Sequence, residues 1–213
     1  MKSADILKLK SLPYFTKNTL KMLAPESDNT LNQSIKRFLK SGEIIKIKNG
    51  IYVTESFYLS NKFNERYLEY LSYVLKPNSY LSVDYVLSKF NVLTDATYGL
   101  SAITTSGTIR YENVFGSYSY KSIKKALFTG YKEDFFMGNK YYIAKKSKAL
   151  FDYLYFRQRV ISLDSTNLIE DLRLNLSSFT DSDIEEFVDY SGFFGPSKMV
   201  SIIERIKNEY ASI

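Results

Sequence analysis

SDNTLNQSIKRFLKSGEIIKIKNGIYVT, residues 27–54, decides how the front of this chain is read. Ser27 or Asp28 can accept a hydrogen bond from the free amides of a first helical turn, which predicts an N-cap there. Leu31, Ile35, Phe38 and Leu39 recur at i, i+4, i+7 and i+8, one apolar stripe of a helix. Asn29, Thr30, Asn32, Gln33, Lys36, Arg37 and Lys40 fall on the other side. Gly42 stands where a left-handed C-cap would close that helix. Residues 43–48 and 51–54 then predict two strands around Asn49-Gly50, the strongest short hairpin signal. A two-residue turn at that point sets Ile47 opposite Tyr52. Ile45, Ile47 and Tyr52 would share one face, and Lys46 and Lys48 the other. An amphipathic helix followed by a basic hairpin is the pattern of a winged helix-turn-helix.

The flanking sequence extends that pattern. Residues 3–10 predict a short helix with Ile6, Leu7 and Leu9 turned inward, ended by Pro13. Thr16 can cap a second helix, Lys17–Leu23, closed by Pro25. Residues 1–55 are therefore expected to form one domain, and residues 56–213 a second. In the second, Phe63, Tyr67, Leu71 and Val74 predict a connecting helix over 61–75, stopped by Pro77. Ser82 can cap a helix over 83–90. Runs of β-branched and aromatic residues at 98–105, 108–114, 117–121, 127–129 and 135–144 predict strands. Ser106-Gly107, Gly116, Gly130 and Gly138-Asn139 separate them. These connections are too short for crossover helices, so a mostly antiparallel sheet is expected across 98–144. Ser147 opens a helical region, 147–213. In its first helix Ala149, Leu150, Tyr153 and Leu154 form one face while Phe151, Tyr155 and Phe156 cover the rest, which predicts burial. Further helices are expected at 167–176, at 182–190 with a Ser182/Glu185 capping box, and at 196–210. The expected class is α+β: a winged helix-turn-helix, then a mixed domain with a helical C-terminus.

Composition narrows the function. A hydrophobic content of 45% with 16% aromatics fits a packed chain and not a disordered one. No stretch approaches the roughly 18 to 20 apolar residues of a membrane span, and the N-terminus has no export-signal pattern. No membrane partner is expected. The sequence contains no Cys and no His, which excludes disulfides, zinc fingers and imidazole base chemistry. The lack of Cys fits a cytoplasmic location. Charge is uneven along the chain. Residues 1–54 hold 10 Lys and Arg against 4 Asp and Glu, whereas residues 149–213 hold 6 against 11. A basic head suits a polyanion, although surface lysines are also common without any such partner.

Motifs for chemistry are sparse. No phosphate-cradling loop is present, and Gly138-Asn139-Lys140 reads as a hairpin turn. Phe115-Gly116-Ser117 resembles the first motif of nucleotidyltransferases but lacks the paired carboxylates that two metals require. An enzyme acting on nucleotides or nucleic acid through the basic, aromatic middle of the chain would depend on a carboxylate such as Glu112 or Asp134. No metal site or cofactor is expected. Asp152, in the aromatic helix, could be a buried acid, but such a residue more often sits on an exposed edge or pairs with an Arg such as Arg157. The acidic run Asp181, Asp183, Glu185, Glu186 and Asp189 suits a solvated helix N-terminus or a docking face for a basic partner. Arg110, Lys121, Lys124, Lys125, Lys145, Lys146 and Lys148 lie among tyrosines. They fit a secondary basic surface for single-stranded nucleic acid, or, more simply, a sheet with aromatics buried and lysines in water.

The sequence resembles the AbiEi-type antitoxins of type IV toxin–antitoxin (abortive infection) systems. The stretches LKLKSLPYFT and NTLNQSIKRFLKSGEIIKIKNGIYV are similar to that family's N-terminal winged helix. Residues 79–83, Leu87 and 103–105 resemble its C-terminal core motif. Ile143-Ala144, Lys148-Ala149-Leu150 and Asp152 resemble its closing motif. The resemblance implies a non-catalytic autorepressor that binds its own operator as double-stranded DNA, at inverted repeats, and counters a co-encoded nucleotidyltransferase-like toxin. On a winged-helix reading, Asn29, Thr30, Asn32, Gln33 and Lys36 would enter the major groove. Arg37, Lys40, Lys46, Lys48 and Asn49 would meet phosphates or the minor groove.

Overall fold

The computed structural model describes residues 1–94, 99–195 and 197–212. The expected starts of a strand at residue 98 and of the last helix at residue 196 lie outside them. The chain is α+β and divides into two compact units, Met1–Leu71 with Glu112–Gly116, and Ser72–Tyr111 with Ser117–Ile213. The expected division after residue 55 falls short of the first unit's main segment, which continues to Leu71.

In the first unit α1 (Ser3–Leu7), α2 (Lys17–Leu23) and α3 (Asp28–Ser41) precede a hairpin of β2 (Ile44–Lys48) and β3 (Ile51–Thr54). A two-residue strand β1 (Phe15–Thr16), absent from the sequence expectation, pairs antiparallel with β3 and completes a sheet of order β1-β3-β2. Local chemistry sets the helix ends. The Thr16 hydroxyl accepts from the Thr19 amide at 3.4 Å, and the Ser27 hydroxyl from the Thr30 amide at 3.3 Å. Gly42 closes α3 at φ 79°, a left-handed cap. Ile6, Leu9, Phe15, Leu20, Leu31, Ile35, Phe38 and Ile44 form the core beneath. Leu7 points to water instead, because α1 ends there and the chain turns so that Leu9 reaches the core.

The hairpin register differs from the expectation. Lys48 pairs with Ile51, but Lys46 and not Ile47 stands opposite Tyr52, since a bulge absorbs Ile47. The inward positions of β2 are thus Ile44 and Ile47, three apart, and both are buried. Beyond the hairpin the connecting helix is two helices, α4 (Glu55–Asn61) and α5 (Glu65–Leu75). Thr54 caps α4, accepting from the Phe57 amide at 3.3 Å. The helix is interrupted at residues 62–64, where Phe63 is exposed, and the inward stripe of α5 is Tyr67, Tyr70, Leu71 and Leu75. Phe115 is buried edge-on against Tyr58 and Tyr67. Its place in the 115–117 motif is therefore a packing role.

The second unit is built on a six-stranded sheet of order β6-β7-β5-β4-β9-β8, from β4 (Ser79–Leu81), β5 (Leu100–Thr104), β6 (Ile109–Asn113), β7 (Gly116–Ser122), β8 (Tyr131–Phe136) and β9 (Asn139–Ala144). It is mixed, not mostly antiparallel. β4–β5 and β8–β9 run antiparallel, whereas β4–β9 and β5–β7 run parallel. Parallel neighbours need a long crossover, but strands can supply it as well as a helix. β6 lies between β5 and β7 in sequence, and everything from β5 to β8 lies between β4 and β9. No strand forms at 127–129: Leu127 ends a 3₁₀ turn, Lys125–Leu127, and Phe128 and Thr129 continue as irregular chain. The β8–β9 turn is Met137-Gly138, both at positive φ, so Phe136 pairs with Asn139 one residue earlier than expected.

Helices α6 (Val83–Lys89), α7 (Lys146–Arg157), α8 (Leu168–Asp171), α9 (Asp181–Asp189) and α10 (Lys198–Tyr210) complete this unit. α7 packs on β9, α6, α9 and α10, which accounts for its apolar character all round. Residues 147–154 are all buried. Its N-cap is Lys145, and Ser147 lies one residue inside the helix, donating to Glu186 at 2.9 Å. The cap of α9 is Thr180 with Asp183, two residues ahead of the expected Ser182/Glu185 box. α8 is one turn long: Leu172 caps it, and Arg173 then turns the chain away at φ 52°. Among the described residues no helix is long and apolar enough to cross a membrane.

Candidate nucleic-acid interface

The polar side of α3 faces solvent. Asn29, Thr30, Asn32, Gln33, Lys36, Arg37 and Lys40 are all exposed, while Leu31, Ser34, Ile35 and Phe38 between them are buried. Asn29, Gln33, Lys36 and Lys40 stand at i, i+4, i+7 and i+11, so they run along one line of the helix. Thr30 and Asn32 flank that line. The same periodicity that seats α3 in the core therefore aligns its amides and ammonium groups outward.

The corner preceding α3 is held by charge. Asp28, the first residue of α3, pairs with Lys21 and, at 3.6 Å, with Lys17, both on α2. The Lys21 ammonium holds the Asp28 carboxyl below its ordinary value, with Lys17 adding to the effect. Arg37 does not point freely outward. Its guanidinium donates to the Met1 carbonyl at 2.6 Å and lies 4.8 Å from the Phe38 ring centroid. On the hairpin, Lys46 and Asn49 are exposed and Lys48 is half-buried.

The secondary basic surface is not assembled as expected. Lys148 lies wholly inside the second unit and ion-pairs with Asp152 at 2.6 Å. Lys145 pairs with Glu186 at 2.9 Å and Lys146 with Asp183 at 2.7 Å, so the acidic helix α9 neutralises both. The Lys121 ammonium sits 5.2 Å from the Phe156 ring. Lys124 and Lys125 are exposed beside the 3₁₀ turn, and Arg110 is exposed on β6. Tyr118, Tyr120 and Tyr141 are buried, as the simpler reading has them, whereas the buried Lys148 departs from its expectation of lysines in water. Glu112 falls in the first unit and Asp134 in the second. Among the described residues no group of three or more acidic side chains could hold a metal ion.

Asp152 is the largest departure from expectation. Arg157 approaches Asp84 at 3.8 Å instead, and Asp152 is fully buried. Its carboxylate accepts from Lys148 at 2.6 Å, Ser82 at 2.7 Å and Tyr80 at 3.0 Å. Burial pushes the Asp152 carboxyl up, against the opposing pull of Lys148 and the two hydroxyls. Burial pushes the Lys148 ammonium down. The Tyr80 phenol is driven far above its ordinary value by burial and then by Asp152, so it remains a donor. Val83, next to Ser82, adopts φ 59° although β-branched, a conformation costing about 1–3 kcal/mol. Nothing local favours it. Tertiary ties hold it, through the Ser82 hydroxyl on one side and the buried Val83 side chain on the other. The i, i+4 spacing of Lys148 and Asp152 is the sequence signal that could have found this pair.

No protein-family model matches the sequence, and no curated protein matches it.

Proposed function

We propose that the first unit is a winged helix-turn-helix, with α3 as recognition helix and the β2–β3 hairpin as wing, and that the chain is a DNA-binding autorepressor. The observation that carries this reading is the exposed line Asn29, Gln33, Lys36 and Lys40 on a helix whose other side is locked into the core. Asn and Gln side chains pair bidentately with adenine edges, and Lys meets phosphates or guanine. The operator half-site is therefore A·T-containing. Lys46 and Asn49 on the hairpin supply backbone or minor-groove contacts.

The antitoxin role rests on the resemblance to AbiEi-type proteins. It is supported by the convergence of Tyr80, Ser82, Lys148 and Asp152, which lie in two separate stretches of that resemblance, on one buried cluster. In this reading the second unit counters a co-encoded nucleotidyltransferase-like toxin and carries no catalysis of its own.

Fluorescence anisotropy on the protein's own upstream DNA and on a scrambled duplex of equal composition, across a salt series, tests the repressor reading. Specific binding should exceed non-specific by about 10³ or more. Equal affinity for both duplexes would overturn it.

A further inference from the structure

A cavity of about 390 Å³ opens in the second unit between the 129–131 segment and the end of α9. Its walls carry the rings of Tyr131, Tyr190 and Phe193 and the charges of Lys145, Glu186 and Asp189. Tyr190 and Phe193 are the first and last residues of a 3₁₀ turn, in which side chains at i and i+3 eclipse. That is why their rings lie nearly parallel, at 19° with centroids 6.4 Å apart. Gly130 admits the Tyr190 ring, because a Cβ there would stand 2.1 Å from the Tyr190 hydroxyl. Phe193 is 49% exposed, although packing alone would favour covering so large an apolar ring.

The charges select among ligands. Lys145 is matched by Glu186 at 2.9 Å. Asp189 is exposed and makes no ion pair among the described residues, which leaves the walls net negative. Burial first, and then the carboxylates of Glu186 and Asp152, push the Tyr190 phenol above its ordinary value. The Tyr190 ring is only 5% exposed and already meets a cation from within the fold, the Lys148 ammonium 5.2 Å from its centroid, so it backs the cavity and the ring open to a ligand is Phe193. Aromatic faces beside carboxylates recognise ammonium groups through cation–π attraction. An anion would meet Asp189 and Glu186, and an uncharged ligand would gain nothing from Asp189.

We propose that this cavity is a binding site for an ammonium group, held against the Phe193 ring in a cavity also lined by Tyr131 and Tyr190, with Asp189 as counter-charge. The chemistry is shared by a free alkylammonium compound and by a lysine side chain of a protein partner. The proposal stands apart from DNA binding by the first unit.

Saturation-transfer NMR and calorimetry on the full chain test it, with choline, its uncharged carbon isostere dimethylbutanol, and Nα-acetyl-lysine amide, whose side-chain ammonium is free, as probes. Choline should bind saturably with transfer from aromatic protons, and dimethylbutanol should not. Phe193→Ala and Asp189→Asn, both at exposed positions and checked by circular dichroism, should each weaken choline by about three- to tenfold. Comparable binding of acetyl-lysine amide assigns the site to a partner's side chain, and choline alone assigns it to a small molecule. Absence of saturable binding by both cations overturns the proposal. So does equal binding of the isostere, or affinity unchanged in both variants.

Discussion

Removing the Asp152 carboxylate should damage the second unit more than any surface change, and the structure allows the size to be worked out. Lys148, Asp152 and Ser82 are fully buried and Tyr80 is 1% exposed, so water cannot replace a lost partner. In Asp152→Ala the Lys148 ammonium, 2.6 Å from Asp152 Oδ1 in the native protein, is left uncompensated. Breaking a buried ion pair by deleting one partner costs about 3–5 kcal/mol. The Ser82 and Tyr80 hydroxyls lose their acceptor as well, at about 1–3 kcal/mol for each that finds no substitute. The sum approaches the whole stability of a typical domain, about 5–15 kcal/mol. Lys148→Met keeps the length of the stem and leaves Asp152 with two donors, so it should cost about 3 kcal/mol. The double variant Lys148→Met/Asp152→Ala has no buried charge and should be less destabilised than the two single costs added together, by at least about 2 kcal/mol. Urea unfolding followed by far-ultraviolet circular dichroism and tyrosine fluorescence measures all four proteins. Single costs below about 1 kcal/mol, or additivity within about 0.5 kcal/mol, would refute the idea that this pair is a coupled unit of the fold.

Three further outcomes are expected. Asn32→Ala with Gln33→Ala should lower operator preference more than binding to random DNA, whereas Lys40→Ala should weaken both and reduce the salt slope by about 0.9 for each phosphate no longer neutralised; anisotropy titrations read both, and equal loss on the two DNAs for Asn32 and Gln33 would remove them from base readout. Asp183 is partly buried, which opposes ionisation, but hydrogen bonds from Lys146 and Thr180 prevail and hold its carboxyl below the ordinary 3.8. Its stabilising contribution is therefore complete above pH 3.8 and is lost as pH falls through the lower folded value; an acid titration in which Asp183→Asn unfolds with an unchanged pH profile would contradict this. Gly130→Ala should destabilise the second unit by about 1–3 kcal/mol, since φ is 76° and the new Cβ would stand 2.1 Å from the Tyr190 hydroxyl; an unchanged midpoint in thermal unfolding would show that Tyr190 moves freely.

The sequence by itself determined those features whose causes are local. The Thr16 and Ser27 caps, the apolar row Leu31, Ile35 and Phe38, the Gly42 stop and the Asn49-Gly50 turn each depend on neighbours a few residues away. The exposed polar face of α3 was legible for the same reason, being the complement of a helical period. Only the tertiary structure decided the rest. Phe15 and Thr16 become a strand because β3 offers them a partner much later in the chain, and two residues carry no periodicity of their own. The bulge at Ile47 arises where β2 must present both Ile44 and Ile47 to one core, which strict alternation cannot do. The parallel pairings of β4 with β9 and β5 with β7 join strands that no adjacent turn connects. For Asp152 a buried acid was the less favoured of two readings, because burial is a property of what surrounds a residue. It is the packing of α7 beneath strand β4 and helices α6 and α9 that turns Lys148, Asp152, Ser82 and Tyr80, spread over 72 residues, into one interior network.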